Sequence, residues 1–287
     1  MKNFTAFIAS IALLISISAC SQSGKVYSSF WGGKRIVASN NLVTKDIKIS
    51  NFTKVRVTGS PDVTYTQKPG HANVEVYTSD NIVDLLDIKV ENSTLYIGFK
   101  KNINVSYKKL AIRISSESLN GISVTGSGDI YMEKGLKSND DLSVNITGSG
   151  DFYGKDIECG KLDISVAGSG DVKANNITCQ ELKSSVSGSG DISLKDITTT
   201  QVEARVSGSG SATLTGTAQD ASYSVAGSGD LFASDFKVNT ISASVSGSGD
   251  IKCYATDFLK ARTSGSGSIG YKGEPKLDYP KKNLYKL

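Results

Sequence analysis

VSGSGDI at residues 186–192 decides the fold, because close copies of it return down the second half of the chain. They are VTGSGDI (124–130), ITGSGDF (146–152), VAGSGDV (166–172), VSGSGSA (206–212), VAGSGDL (225–231), VSGSGDI (245–251) and TSGSGSI (263–269). The first glycines stand at 126, 148, 168, 188, 208, 227, 247 and 265, so the spacing runs from 18 to 22 residues. A unit of that length cannot bury its own apolar face, and successive copies must stack to make a core. The residues between the glycine pairs alternate apolar and polar in the manner of strands. The expected fold is all-β, a parallel β-helix of about 20 residues per coil with a β-rich N-terminal lobe.

Alignment on the first glycine shows which way the side chains face. Two residues before it stand Val124, Ile146, Val166, Val186, Val206, Val225, Val245 and Thr263; four after it stand Ile130, Phe152, Val172, Ile192, Ala212, Leu231, Ile251 and Ile269. Leu142, Leu162, Leu182, Val202 and Ile241 sit six before. Even offsets share one face of a pleated chain, and their apolar character makes that face the inside. The same parity turns both glycines of each pair inward (Gly126 and Gly128, Gly148 and Gly150, Gly168 and Gly170, Gly188 and Gly190, Gly208 and Gly210, Gly227 and Gly229, Gly247 and Gly249, Gly265 and Gly267). It points the intervening serine and the following aspartate at water. Glycine at such a place marks a sharp bend or a close approach of two backbones. A second apolar mark nine residues after the glycine, Ile157, Ile177, Ile197 and Phe236, indicates another side of the coil. Coils about 4.8 Å apart stack eight high into a rod of roughly 35–40 Å.

Ahead of the repeats, KVRVTG, VTYTQ, NVEVYT, LDIKVEN, TLYIGF and KLAIRIS alternate as short strands, and Asp80–Leu86 has room for one helical turn. Gly59-Ser60-Pro61-Asp62 is a degenerate copy of the corner, so the lobe at 46–120 follows the plan of the coils at 121–277. Residues 278–287 are expected as a C-terminal tail, with the segment from 271 closing that end.

The N-terminus has a different character. Lys2 precedes the apolar stretch FTAFIASIALLISISAC, the layout of an export signal at 1–19. Ile17-Ser18-Ala19-Cys20 resembles the bacterial lipobox, whose cysteine is diacylated and becomes the mature N-terminus. Residues 20–45, rich in Ser, Asn and Gly, are expected as a lipidated tether. The expected partner is therefore a membrane, reached through the anchor. Ser21 after the cysteine, where some bacteria place Asp to retain a protein at the inner membrane, favours the outer membrane. No other stretch approaches the ~18 apolar residues of a spanning helix.

FTKVRVTGSPDVTYTQ (52–67), ENSTLYIGF (91–99) and the coils ending in GSIGYKGEPKL (267–277) are together similar to the auto-transporter adhesin family with a head GIN domain. The resemblance extends over about residues 46–277, and the repeated GSGD coil is its most specific part. It implies a right-handed helix, a place in the bacterial envelope and an adhesive role, and it carries over no catalytic residue.

The charge distribution excludes some partners. Residues 21–120 hold 14 Lys and Arg against 8 Asp and Glu, residues 121–270 hold 12 against 18, and residues 271–287 hold 5 against 2. An acidic repeat region without a basic, aromatic-laced run disfavours nucleic acid. The eight corner serines lack a G-x-S-x-G elbow, and His71, the sole histidine, falls in the loop Lys68-Pro69-Gly70-His71. No set of residues converges as a catalytic site, and none calls for a cofactor or resident metal. The column Asp129, Asp151, Asp171, Asp191, Asp230 and Asp250 is a candidate for weak Ca²⁺ binding, since hard cations seek carboxylates. Two exposed charges ~5 Å apart repel by only about 0.8 kcal/mol in water, so the column stands equally well without a metal.

Cys159 and Cys179 both lie eleven residues after their glycines, which puts their Cα atoms about 4.8 Å apart, inside the disulfide window. Parallel strands aim both side chains alike, which favours paired thiols over a bond. The functional expectation is a non-catalytic, structural or adhesive envelope protein that touches glycan or protein. Its alternative is a polysaccharide-processing or cation-dependent glycan-binding protein.

Overall fold

The computed structural model describes residues 35–280 and 282–287; the signal segment, Cys20 and the tether up to residue 34 lie outside the described residues. The strand that enters each corner lies in register on the one before it, glycine on glycine. The line runs Gly59, Gly126, Gly148, Gly168, Gly188, Gly208, Gly227, Gly247, Gly265, every step parallel. Stacked parallel strands make a β-solenoid of about eight turns with roughly 20 residues in each.

One coil illustrates the circuit. Lys161–Gly168 is the long first side, Ser169 to Asp171 turn the first corner, and Val172–Thr178 runs along the second and third sides with Asn176 as its hinge. Asp156, Asn176 and Asp196 take φ of 51°, 54° and 53° at this second corner, and Gly216 takes 131°. Asp and Asn tolerate that left-handed conformation better than most side chains, which is why they precede the inward isoleucines. The third corner is closed by a stacked backbone line in which Gln180 N–H donates to the Gly160 carbonyl and Thr200 N–H to that of Gln180.

The expected inward columns form the core. The residues from Val124 to Val245 two before the glycine, and all eight from Ile130 to Ile269 four after it, are at most 2% exposed. The column four before the glycine shows how volume is balanced: Tyr223 is buried between the small residues Ser184, Ala204, Ala243 and Ala261. In another coil Phe152 fills the interior, and a Cβ on Gly154 would meet its ring at 2.8 Å.

The N-terminal lobe follows the same plan and then ends it. Lys54–Gly59 stacks under the first repeat, and Asp62 takes the corner position. Thr94–Phe99 and Leu110–Ser116 lie parallel on the next layer out, against Lys54–Gly59 and Val63–Gln67. Beyond them the pairing turns antiparallel: Leu86–Glu91 on Thr94–Phe99, and Asn73–Ser79 on Leu110–Ser116. This hairpin layer, with the single helical turn Asp80–Val83, covers the apolar end that a solenoid leaves open.

Two boundaries differ from expectation. Leu42–Ile47 pairs antiparallel with Asn73–Ser79, and Arg35–Val37 pairs with Asn104–Ser106, so residues 35–45 are folded onto the lobe, not strung out as tether. Leu42–Ile47 is an edge strand in which Thr44, Lys45 and Asp46 are all exposed, and that polar run hid it. At the other end Leu284–Lys286 stacks on Ile269–Tyr271, so the residues beyond 277 belong to the sheet.

Candidate functional site

Each corner is built from backbone first. The first glycines of the eight pairs take φ between +114° and +133°, a region that side-chain-bearing residues rarely adopt. A Cβ there would lie 2.3–2.6 Å from the carbonyl oxygen of the glycine one coil back; at the second glycines it would lie 1.8–2.2 Å from the carbonyl oxygen one coil back, that of Pro61 for Gly128 and of a glycine from Gly150 to Gly267. The missing side chains make room for the neighbouring coil. The carbonyl so protected accepts two N–H groups, as Gly148 does from Ser169 at 2.8 Å and from Gly170 at 3.1 Å. The second glycine is buried as expected. The first is half-buried or exposed, because its positive φ breaks the pleat that the parity rule assumes.

The aspartates differ more. They lean along the stack instead of standing out as free charges, and Oδ1 of each accepts the backbone N–H of the next coil's equivalent residue. Asp62 receives Asp129 at 3.0 Å, Asp129 receives Asp151 at 2.9 Å, Asp151 receives Asp171 at 2.8 Å and Asp171 receives Asp191 at 3.1 Å. Asp191 holds Ser211, Asp230 holds Asp250 and Asp250 holds Ser268, each at 2.8 Å. Where Ser211 offers no carboxylate, the N–H of Asp230 turns to the Gly210 carbonyl at 3.3 Å. The column thus extends the sheet's hydrogen bonding round the corner.

The second carboxylate oxygens reach outward to a feature that the repeat pattern did not reveal. Tyr131 and Tyr153, five residues after their glycines, donate their hydroxyls to Oδ2 of Asp129 at 3.1 Å and of Asp151 at 2.8 Å. Their rings stack with centroids 5.1 Å apart and planes 6° apart. The Lys173 ammonium sits 5.7 Å from the Tyr153 ring centre and 3.4 Å from Asp171. Desolvation, then the charge of Asp129, pushes the Tyr131 phenol up to about 12; the hydrogen bond to Asp151, then desolvation, does the same for Tyr153.

Beside these rings the outward residues five and seven after the glycine form two walls of a groove of about 490 Å³. Tyr153, Lys173 and Ser193 line one side, and Glu133, Lys155, Asn175 and Lys195 the other. Two tyrosines at one offset in successive coils were the available signal, weak because the other coils carry other residues there.

The remaining candidates are quieter. Cys159 and Cys179 are free thiols, each 7% exposed, and burial pushes Cys159 up to about 12 and Cys179 upward. Thr199 continues their column and holds Cys179 Sγ at 3.7 Å. His71 is exposed in its loop. The first side carries an alternating charge row, Lys161, Glu181, Lys183, Glu203 and Arg205, in ion pairs from each to the next. Among the described residues no three His, Cys, Asp or Glu side chains are grouped to hold a metal ion, and no helix is long and apolar enough to cross a membrane.

A family model described as "Putative auto-transporter adhesin, head GIN domain" matches residues 51–215 and, a second time, 174–275. The chain belongs to that family. Overlapping matches are what a stack of similar coils produces, since one head GIN profile fits more than one register of the repeat. Crystal structures agree. A protein of Parabacteroides distasonis described as a "putative lipid binding protein" is 29% identical with a TM-score of 0.67, covering 88% of this chain and all of its own. A "putative adhesin" of Parabacteroides merdae is 25% identical with a TM-score of 0.68, covering 88% and 99%. A second P. distasonis "putative adhesin" is 26% identical with a TM-score of 0.66, covering 88% and 100%. Comparison with curated proteins gives no match. Membership of the head GIN family and these neighbours support an adhesive or binding role at the cell envelope.

Proposed function

We propose that the chain is a lipid-anchored adhesion protein of the bacterial outer membrane, non-catalytic, which presents the outer sides of its solenoid to glycan or protein. The observation that carries the reading is the corner column. Glycine packing and aspartate bonds hold successive coils in one register, so outward side chains repeat at fixed spacing as an extended contact surface. Such a surface gains affinity from many modest contacts along a repeating ligand. The anchor rests on Ile17-Ser18-Ala19-Cys20 behind the apolar stretch that follows Lys2.

The test is made on cells that express the full-length chain. An alkyne analogue of palmitate is expected to label the wild type and not Cys20→Ser, and brief protease treatment of intact cells is expected to remove the solenoid. Protection of the solenoid in intact cells, with adhesion to glycan-coated surfaces equal to that of cells lacking the protein, would sink the adhesive reading.

A further inference from the structure

The groove beside Tyr131 and Tyr153 has properties that the corner column does not explain. Its residues come from four successive coils, Met132 and Glu133, then 153–155, then 173–175, then Ser193 and Lys195, so it runs along the solenoid axis. Its floor is the backbone of positions whose side chains turn inward, with Met132 and Ala174 buried beneath and no side chain at Gly154. Tyr153 lines the groove, Tyr131 stacks on it from the coil before, and both hydroxyls are already bound to Asp129 and Asp151, so the Tyr153 ring is held in place before any ligand arrives.

The charge here runs against its surroundings. The repeat region as a whole is acidic, yet the groove holds Lys155, Lys173 and Lys195 against Glu133 alone. Lys173 shares its charge with Asp171, whereas among the described residues neither Lys155 nor Lys195 has a carboxylate within ion-pair distance. Asn175 and Ser193 add neutral hydrogen-bonding groups between them. A fixed aromatic ring, unpaired ammonium groups and neutral polar side chains in one trough match a sugar chain whose C–H groups pack against Tyr153 and whose acidic groups meet the lysines.

We infer that this groove binds an acidic polysaccharide, lying along the axis with its sugar C–H groups against the Tyr153 ring and its carboxylate or sulfate groups at Lys155, Lys173 and Lys195. The inference rests on the adhesive reading above and names the ligand class for this one side of the solenoid. An acidic peptide fits less well. The strands that form the groove are hydrogen-bonded to coils on both sides and leave no free edge for a peptide backbone.

The experiment is calorimetry on the full-length acylated protein in detergent, with polygalacturonate, a sulfated glycan, neutral dextran and polyglutamate as probes. Polygalacturonate or the sulfated glycan is expected to bind and dextran not. Affinity should fall about tenfold in Lys155→Ala/Lys195→Ala and in Tyr153→Ala, and stay unchanged in Lys183→Ala on the first side. Both lysines are exposed, so that variant keeps its fold and its melting temperature serves as the control. Absence of binding to both acidic glycans, equal binding of polyglutamate, or indifference to the groove substitutions overturns the inference. Should cells still adhere to glycan surfaces while the groove variants behave as wild type, the adhesive reading stands and this assignment fails. Should the acidic glycan bind through the groove while intact cells shield the solenoid, the assignment stands and the adhesive reading fails.

Discussion

The carboxylate of Asp151 accepts the backbone N–H of Asp171, twenty residues further on, at 2.8 Å, and Asp171 repeats the contact with Asp191. A side chain has taken over a position in the main-chain ladder. A charge-assisted bond of this kind contributes about 1.5–3 kcal/mol, and for Asp171 the partner that loses it is the exposed N–H of Asp191. Asp171→Ala is therefore expected to lower the unfolding free energy by about 1–3 kcal/mol in urea titration. Asp171→Asn, which keeps an acceptor oxygen, should lose much less. Asp163→Ala, which removes a carboxylate from the first side, should stay within about 0.5 kcal/mol. Equal losses in all three would mean that the column acts only through its charge.

Gly188 has φ of +126°, and a Cβ on it would stand 2.4 Å from the Gly168 carbonyl oxygen. Backbone must move in two coils at once to admit a methyl group. Gly188→Ala is expected to cost at least about 2 kcal/mol, while Ser189→Ala in the same corner, exposed and outside the stack, should change stability by less than about 0.5 kcal/mol. A tolerated alanine at Gly188 would show that the coils are not held in contact at this corner.

These two corners show what a sequence discloses about a solenoid and where it stops. The inward columns were legible because apolar residues recur at even offsets from a fixed mark, and the lobe's strands at 54–67 and 73–116 because they alternate in the same way. The role of Asp151 was hidden because its partner is twenty residues away, and only stacking register brings Oδ1 to that N–H. The half-exposed first glycine was hidden because parity presumes an extended chain, whereas φ near +120° rotates the residue out of the pleat. The groove depends on residues at five and seven after the glycine, where Tyr153, Lys173 and Ser193 share an offset and no chemistry. Periodicity finds what every coil must do alike and is blind to what a few coils do differently.

The stacked phenols have a measurable alkaline signature. Tyr131 and Tyr153 are raised from an ordinary 10.0 to about 12, so the folded chain holds both protons more tightly than the unfolded one. Their contribution to stability is complete below pH 10 and is lost as pH climbs toward 12. The stability gap between wild type and Tyr131→Phe/Tyr153→Phe is expected to be constant up to pH 10 and to shrink between 10 and 12. Spectrophotometric titration should show the corresponding phenolate absorbance arriving late in the wild type. A gap independent of pH through that window would contradict the tyrosine-aspartate bonds.

Cys159 and Cys179 occupy one column of adjacent coils, and both are free and buried. Strands in parallel register send the two side chains the same way, into the core, so forming a bond would require at least one to swing toward its neighbour. Thr199 fills the next place in the column with a group that cannot form a disulfide, so packing there needs only a small, weakly polar side chain. The reactive thiolate is also disfavoured, since burial lifts Cys159 and Cys253 to about 12. A Cys20→Ser chain, which leaves three of the four cysteines, is expected to resist iodoacetamide at neutral pH when folded and to take up three equivalents at Cys159, Cys179 and Cys253 once unfolded without reductant. Its melting temperature should not change with reductant. A disulfide closing a loop of about twenty residues would add roughly 3 kcal/mol, so a fall of several degrees on reduction, with two thiols missing from the alkylation count, would establish the bond and overturn the paired-thiol arrangement.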